Sequence, residues 1–142
     1  MKYLLDTNVV SELRKRDRAN QFVTAWFRER KPQELFISVL TLGELRRGAE
    51  RVSRRDPRSA AALRSWLDRT RIRFRDRILD VDGAVADRWG RVSAADPLPD
   101  VDGLLAATAL VHGMTVVTRN VRHMDPTGAP YLNPFEPPPD PD

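Results

Sequence analysis

The stretch Tyr3-Leu4-Leu5-Asp6-Thr7-Asn8 decides the class of fold. Its apolar half predicts a short buried strand over residues 2–5, and Asp6 follows at the carboxyl end of that strand. In open α/β sheets, ligands bind outside the carboxyl ends of the strands. The position of Asp6 therefore predicts a functional site. The alternative is that Asp6 only caps a helical turn that starts at Thr7 or Asn8, a position that aspartate favours.

Strands and helices alternate along the rest of the chain, which predicts right-handed crossovers and an α/β fold. We expect a central parallel sheet of about four or five strands with helices on both faces. The predicted strands are 2–5, 35–38, 78–81, 114–118 and an edge strand at 131–132. The predicted helical segments are 9–13, roughly 19–30, one after each of the second and third strands, a long one opening at Asp56-Pro57, and 102–112, which ends at Gly113; residues 96–100 are predicted as a loop.

The length and composition predict one globular domain over residues 1–135. The chain has 142 residues, of which 41% are hydrophobic and 31% charged, values that are typical of globular proteins. Five prolines among the nine residues after Asn133 predict a mobile tail over 136–142. No apolar run is long enough for a membrane span and no apolar leader follows Met1, so a cytoplasmic location is expected. The absence of cysteine excludes disulfides and thiolate metal sites.

Basic residues outnumber acidic ones, which favours a polyanionic partner. The formal net charge is +4 and the isoelectric point is near 10.1. Arginine can bind phosphate through two hydrogen bonds and can stack on bases. Such clusters can equally be solvated helix faces, and both interpretations stay open. The clusters are Arg14-Lys15-Arg16, Arg46-Arg47, Arg54-Arg55 and the stretch from Arg69 to Arg77.

Glu44 is the second candidate acid, because it comes soon after the strand 35–38. Its alternative role is structural: Thr41-x-x-Glu44 has the spacing of a capping box, in which the glutamate bonds back to the start of its own helix. Alone, Glu44 fits the capping box better. Together with Asp6 it favours a site, since both acids follow strands that we expect to be neighbours.

Asp102 is the third candidate, at the start of an apolar helix. It could be only the N-cap of that helix, and Asp100 competes for the same role. Three clustered carboxylates would repel one another unless a cation lies among them. Ligation by oxygen alone selects a hard ion, so a Mg²⁺ or Mn²⁺ site is expected.

Asn120 reaches the same edge of the sheet, since it follows the strand that ends at Thr118. Its amide could position a water or a phosphate oxygen but adds no negative charge. His112 and His123 do not have a spacing that indicates zinc, and His112 is expected on a helix surface.

Four segments in register carry a family resemblance. They are 4–13 (LLDTNVVSEL), 38–48 (SVLTLGELRRG), 102–109 (DGLLAATA) and 117–120 (VTRN), and the ending Leu132-Asn133-Pro134-Phe135 is also typical. In these segments the chain resembles the PIN-domain ribonucleases, and within them the VapC toxins of bacterial toxin–antitoxin pairs. The similarity runs from residue 1 to about residue 135.

The resemblance implies an α/β/α sandwich in which Asp6, Glu44 and Asp102 bind Mg²⁺ or Mn²⁺ and activate water to cleave RNA within the chain. It also implies a VapB-type antitoxin as partner and a homodimer. Many relatives have a fourth acid near the end of the later strand, where this chain has Asn120; the next acid downstream is Asp125. One tightly bound ion, with a second bound weakly or only with RNA, is therefore expected.

Two other classes of function compete with this one. A PIN-like module that binds RNA or protein with little catalysis would account for Asn120, but the three acids argue against it. A phospho-receiver or an aspartate-based phosphatase also gathers acids at strand ends. That class requires a further acid beside the first one, or a lysine after the last strand, and the sequence has neither.

Overall fold

The computed structural model describes residues 1–95 and 97–140, and within them five parallel strands form one sheet. The sheet order is β3-β2-β1-β4-β5. The strands are β1 (Tyr3–Leu5), β2 (Leu35–Ser38), β3 (Ile78–Leu79), β4 (Thr115–Val117) and β5 (Tyr131–Leu132). The central strand β1 thus lies between β2 and β4, which confirms that the strands before Asp6 and Glu44 are neighbours.

Seven α-helices cover the two faces of the sheet in the described part of the chain. They are α1 (Thr7–Leu13), α2 (Gln21–Arg28), α3 (Val39–Ser53), α4 (Pro57–Arg73), α5 (Gly83–Ser93), α6 (Asp100–His112) and α7 (Val121–Met124). This arrangement confirms the predicted α/β/α fold.

The alternation of side chains along β1 divides the core into two layers. Tyr3 and Leu5 pack with residues of α1 and α2 on one face, and Leu4 packs against α6 and α7 on the other. Leu4 and Leu5 are completely buried. A parallel sheet covered on both faces therefore explains why this strand is apolar throughout.

Several element boundaries differ from the prediction. Helix α1 begins at Thr7 instead of Val9, because the backbone carbonyl of Asp6 already accepts from the amides of Val9 and Val10. Helix α6 begins at Asp100 instead of Asp102, so the predicted loop 96–100 ends one residue earlier; Asp96 lies outside the described residues. Helix α7 was not predicted. Gly113 ends α6 with a φ of 66°, as expected for a C-terminal glycine.

The chain after β5 runs beside α2. The ring of Phe135 packs against the core and lies 3.8 Å from the guanidinium of Arg119. Residues 136–140 form no helix or strand and are exposed, while the last two residues of the predicted tail lie outside the described part. The mobility of this tail stays a prediction.

Candidate metal centre

Asp6 lies at the carboxyl end of the central strand and is 4% exposed. Its amide continues the sheet by donating to the carbonyl of Val117 at 2.9 Å. Its carboxylate accepts from the amide of Thr7 at 2.7 Å, from the hydroxyl of Thr118 at 2.7 Å and from the amide group of Asn8 at 3.3 Å. The backbone and three neighbouring polar groups therefore fix this carboxylate in one position.

Burial raises the pKa of Asp6 to about 6 from an ordinary value of 3.8. The hydrogen bonds from Thr118 and Thr7 lower the pKa, whereas the negative charges of Asp102 and Glu44 raise it further. Among the described residues, no lysine, arginine or histidine lies within 4 Å of the Asp6 carboxylate. The charges of Glu44 and Asp102 thus act on Asp6, and the Asp6 carboxylate has no cationic partner among the described residues.

Glu44 does not form the capping box that its spacing allows. Helix α3 begins at Val39, and its N-cap is Ser38, whose hydroxyl accepts from the amide of Leu40 at 3.0 Å. Glu44 therefore lies in the second turn, where its Oε1 accepts from the hydroxyl of Thr7 at 2.5 Å. Since Thr7 also donates its amide to Asp6, this one threonine connects the first two acids.

Asp102 is not the N-cap of its helix either. The cap of α6 is Pro99, and Asp100 and Asp102 both lie in the first turn. Asp102 is 8% exposed, and its Oδ2 contacts Nδ1 of His123. The amino end of α6 favours a negative charge at this position, and the side chain lies toward the acid cluster instead of the end of its own helix.

The donor set fits a hard divalent cation. It consists of carboxylate oxygens, and a cation would compensate both the burial of the Asp6 carboxylate, which is the main cause of its raised pKa, and the repulsion by Asp102 and Glu44, which adds to it. Within residues 1–95 and 97–140, no three histidine or acidic side chains are arranged so that they could hold a metal ion by themselves. Mg²⁺ usually keeps several waters and binds through one or two carboxylates. An open site with partly water-mediated ligation therefore suits the geometry.

Comparison with known proteins identifies the family. The PIN domain family model matches residues 3–126, nearly the whole chain. The chain belongs to the PIN-domain family. The VapC ribonuclease Y4jK of Sinorhizobium fredii is 31% identical over 138 residues, which cover 94% of this chain and 98% of that protein. Toxin FitB of Neisseria gonorrhoeae is 30% identical over 138 residues, with 93% and 97% covered.

Solved structures agree with this assignment. The structure of FitAB bound to an IR36 DNA fragment superposes on this PIN domain with a TM-score of 0.85 at 28% identity, covering 96% of this chain and 97% of that chain. FitAcB from Neisseria gonorrhoeae also superposes with a TM-score of 0.85, at 29% identity, with 94% and 98% covered. The resemblance found in four segments of the sequence is therefore confirmed over the full length of the fold.

Asn120 lies at the amino end of α7 and is exposed. Its backbone N–H donates to the hydroxyl of Thr118 at 2.9 Å. Among the hydrogen bonds of the described residues, none joins the Asn120 side chain to Asp6, Glu44 or Asp102, and its side chain makes no capping bond. The contribution of Asn120 to this PIN domain's site therefore remains a prediction.

His123 is the functional candidate that the sequence did not reveal. Helix α7 is only four residues long, too short for a periodic pattern, yet it turns His123 back onto Asp102. The one available signal was that His123 follows the end of a strand by a single helical turn. Asp125 instead accepts from the hydroxyl of Tyr131 at 2.8 Å, and His112 is exposed at the end of α6, as expected.

None of the helices in the described residues has both the length and the apolar character needed to cross a bilayer.

Proposed function

We propose that this PIN domain is a Mg²⁺- or Mn²⁺-dependent endoribonuclease, the toxin of a type II toxin–antitoxin system. The observation that carries the proposal is the buried, unneutralised carboxylate of Asp6, within electrostatic reach of Glu44 and Asp102 at the ligand-binding edge of the sheet. The similarity to a VapC ribonuclease and to Toxin FitB supports RNA as substrate and toxicity as the biological role.

The chain's own residues would hold and orient the ion. Asp6, Glu44 and Asp102 supply the negative charge, with Thr118, Thr7 and His123 fixing their respective carboxylates. Because these neighbours already restrict the rotamers, less conformational entropy is lost when an ion binds. A bound divalent cation supplies an activated water and neutralises charge that develops on the scissile phosphate.

A small VapB-type antitoxin is the proposed inhibitor. FitAB, in the structure bound to DNA, is a close structural neighbour of this chain. Glu44, whose side chain is 27% exposed, can accept charge-assisted hydrogen bonds from an arginine of such a partner. We also propose that the protein forms a homodimer, as its family resemblance implies, and that it works in the cytoplasm, as expected from its sequence.

RNA cleavage by the purified protein tests this function. We expect cleavage within the RNA chain in Mg²⁺ or Mn²⁺ and none in EDTA. Asp6→Asn and Asp102→Asn should each lower the rate by at least about 100-fold, since each removes a charge from the ion's site while keeping the shape of the side chain. Asp68→Asn is a matched control, because Asp68 is exposed on α4 and lies 3.8 Å from Arg46.

Full activity in both site variants would exclude these acids as the catalytic centre. Binding of RNA without cleavage in either metal would instead favour a PIN-like binding module with little catalysis. Circular dichroism of each variant would show whether its fold is intact.

A further inference from the structure

A basic groove lies at the amino ends of the strands, whereas the acids lie at the carboxyl ends. Two cavities of about 190 and 580 Å³ share Pro32, Arg73 and Arg77 as lining residues. The groove borders the start of β2 at Leu35 and the residue before β3, whereas Asp6 follows the end of β1. Because the strands are parallel, the groove and the acids lie at opposite ends of the sheet.

The charge of the groove is strongly positive. Its two cavities are lined by five arginines and a single carboxylate; the arginines are Arg28, Arg30, Arg73, Arg75 and Arg77, and the carboxylate is that of Asp76. Asp76 is 81% exposed and lies 3.6 Å from Arg77. This composition excludes a cationic ligand and favours a polyanion.

Arg77 stabilises the fold through hydrogen bonds and forms a wall of the groove. Its guanidinium donates to the carbonyl oxygens of Leu35 at 2.7 Å and Arg73 at 2.8 Å, and also to that of Pro32. These bonds join the segment before β2 to the end of α4. The groove is therefore a fixed feature of the fold with a rigid wall.

The other arginines keep their charges available. Among the described residues, no carboxylate lies within 4 Å of the guanidinium of Arg28, Arg73 or Arg75, and all three residues are exposed. Arg30 pairs only with the exposed Glu29, at 3.7 Å, and its buried Nε has no hydrogen-bond acceptor within the described residues. An arginine cluster that merely stabilised the fold would be expected to have more of its donors satisfied.

Aromatic rings lie beneath these guanidinium groups. Arg73 lies over the ring of Phe27 at 5.1 Å, and Arg30 over that of Trp26 at 5.0 Å. Such stacking restricts a flexible side chain and leaves the outer face of its planar guanidinium free. Phosphates can bind to the edge of such a plane and unpaired bases can stack on its face. This combination favours a single-stranded nucleic acid over an acidic protein segment, which offers no bases.

We propose that this groove is a second RNA-binding site, which holds a part of the substrate remote from the bond that is cleaved. The inference rests on the proposed ribonuclease function. It predicts that the protein binds long RNA more tightly than short RNA, because only a long chain reaches both the acids and the groove.

The test removes three groove charges that pair with no carboxylate among the described residues, and circular dichroism checks that loss of the contact between Arg73 and Phe27 leaves the fold intact. Arg28→Gln/Arg73→Gln/Arg75→Gln is compared with a matched control, Arg54→Gln/Arg55→Gln/Arg58→Gln, whose positions are exposed between α3 and α4 or at the start of α4 and line neither cavity. Fluorescence anisotropy in Ca²⁺, a hard cation that oxygen ligands can bind, measures the binding of an RNA of about 30 nucleotides, and of one of about 5. Gel electrophoresis of the same samples checks that the RNA stays intact.

We expect the groove variant to bind the long RNA at least about 10-fold more weakly than the parent, with a salt dependence lower by about two ion equivalents. The short RNA should lose less affinity than the long RNA, because it can still bind at the acids alone, and the control variant should show little change with either RNA. Ultraviolet cross-linking of the long RNA to the unmodified parent should label the segments 27–36 and 72–77, which tests the groove without any substitution.

Equal binding by the groove variant and the parent, or cross-links confined to the acid edge, would overturn the proposal. Displacement of RNA by polyglutamate at equal charge concentration would also overturn it, since the groove would then bind an acidic protein as well as RNA. Cleavage in Mn²⁺ is measured separately. A parent that binds long RNA through the groove but never cleaves it would contradict the proposed function and leave the groove intact.

Discussion

At the scale of single residues, the environment of Asp6 determines the chemistry. The carboxylate is 4% exposed, and its neighbours offer hydrogen bonds but no positive charge in the described structure. An aspartate that only capped α1 would not need this degree of burial, nor two further acids nearby. Asp6 is nevertheless also the N-cap of α1, with its carboxylate accepting from the amide of Thr7. The two roles that the sequence left open are therefore compatible.

The raised pKa of Asp6 makes stability depend on pH in the metal-free protein. With a pKa of about 6 in the folded state and an ordinary value of 3.8, the folded chain binds more protons than the unfolded chain between these limits. Stability should therefore fall as the pH rises from 4 to 6, by at most about 3 kcal/mol. Urea denaturation in EDTA measures this change.

Asp6→Asn is the control for this dependence. The amide cannot ionise, so the variant should match the parent near pH 4 and be more stable than the metal-free parent at pH 7. The pH dependence of the variant must be subtracted from that of the parent, because Glu12 changes stability in the opposite direction. Burial opposes the ionisation of Glu12, but hydrogen bonds from Asn20 and Lys15 lower its pKa. An identical pH dependence in both proteins would mean that Asp6 has an ordinary pKa.

Aspartate substitutions at His123 and Asn120 test which of the two positions can supply a further metal ligand. His123 contacts Asp102, whereas the Asn120 side chain makes no such bond in the described structure. We therefore expect His123→Asp to strengthen Mn²⁺ binding more than Asn120→Asp does, because its new carboxylate would lie beside Asp102. Calorimetric titration measures both. A stronger effect at Asn120 would show that α7 rearranges when the ion binds.

At the scale of elements, the packing of α5 against α6 positions Asp102. A methyl group on Gly103 would lie 3.0 and 3.1 Å from atoms of the Trp89 ring, so an alanine would require this ring to shift by a few tenths of an ångström. Alanine would favour the helix by up to about 1 kcal/mol, but overpacking costs about 1–3 kcal/mol. We expect Gly103→Ala to lower stability and to weaken metal binding by displacing Asp102.

Gly90→Ala is the matched control on α5, since a methyl group at this position would meet no atom within 4 Å. This change should stabilise the protein by about 0.5–1 kcal/mol. Thermal denaturation of both variants decides the point. Stabilisation by both substitutions would show that Trp89 moves aside at little cost.

Element boundaries show what a pattern in the sequence could not decide. Apolar runs and turn residues were enough to locate the five strands of the described residues. Burial on both faces explains the continuous apolar segments of the inner strands β1 and β2 and of β4. The starts of α3 and α6 were ambiguous, since several residues could serve as caps. Ser38 and Pro99 proved to be the caps, which left Glu44 and Asp102 free to face Asp6.

At the scale of the whole molecule, parallel topology accounts for the site. The order β3-β2-β1-β4-β5 places the strand of Asp6 between β2 and β4, and crossovers return each following element to the same edge. The sequence predicted Asp6, Glu44 and Asp102 from this rule. It could not predict His123 or the arginine groove, because both depend on contacts between segments distant in the chain.

The topology also places the candidate acids and the arginine groove at opposite ends of the strands, although Arg47 lies 3.8 Å from Glu44 at the acid end. Acids gather at the carboxyl edge of the sheet and free arginines at the amino edge. The net charge of +4 therefore describes the protein poorly, because the site itself is negative. An RNA chain bound to the arginine groove would still need a cation to approach the acids. Metal binding is therefore the central requirement for cleavage.

Calorimetric titration of Mn²⁺ into the purified, metal-free protein tests that requirement most directly. We expect one tight site in the parent, a second that is at least about 10-fold weaker, and loss of the tight site in both Asp6→Asn and Asp102→Asn. Asp68→Asn should bind as the parent does. Tight binding that survives in both site variants would contradict the assignment of the ion to these acids.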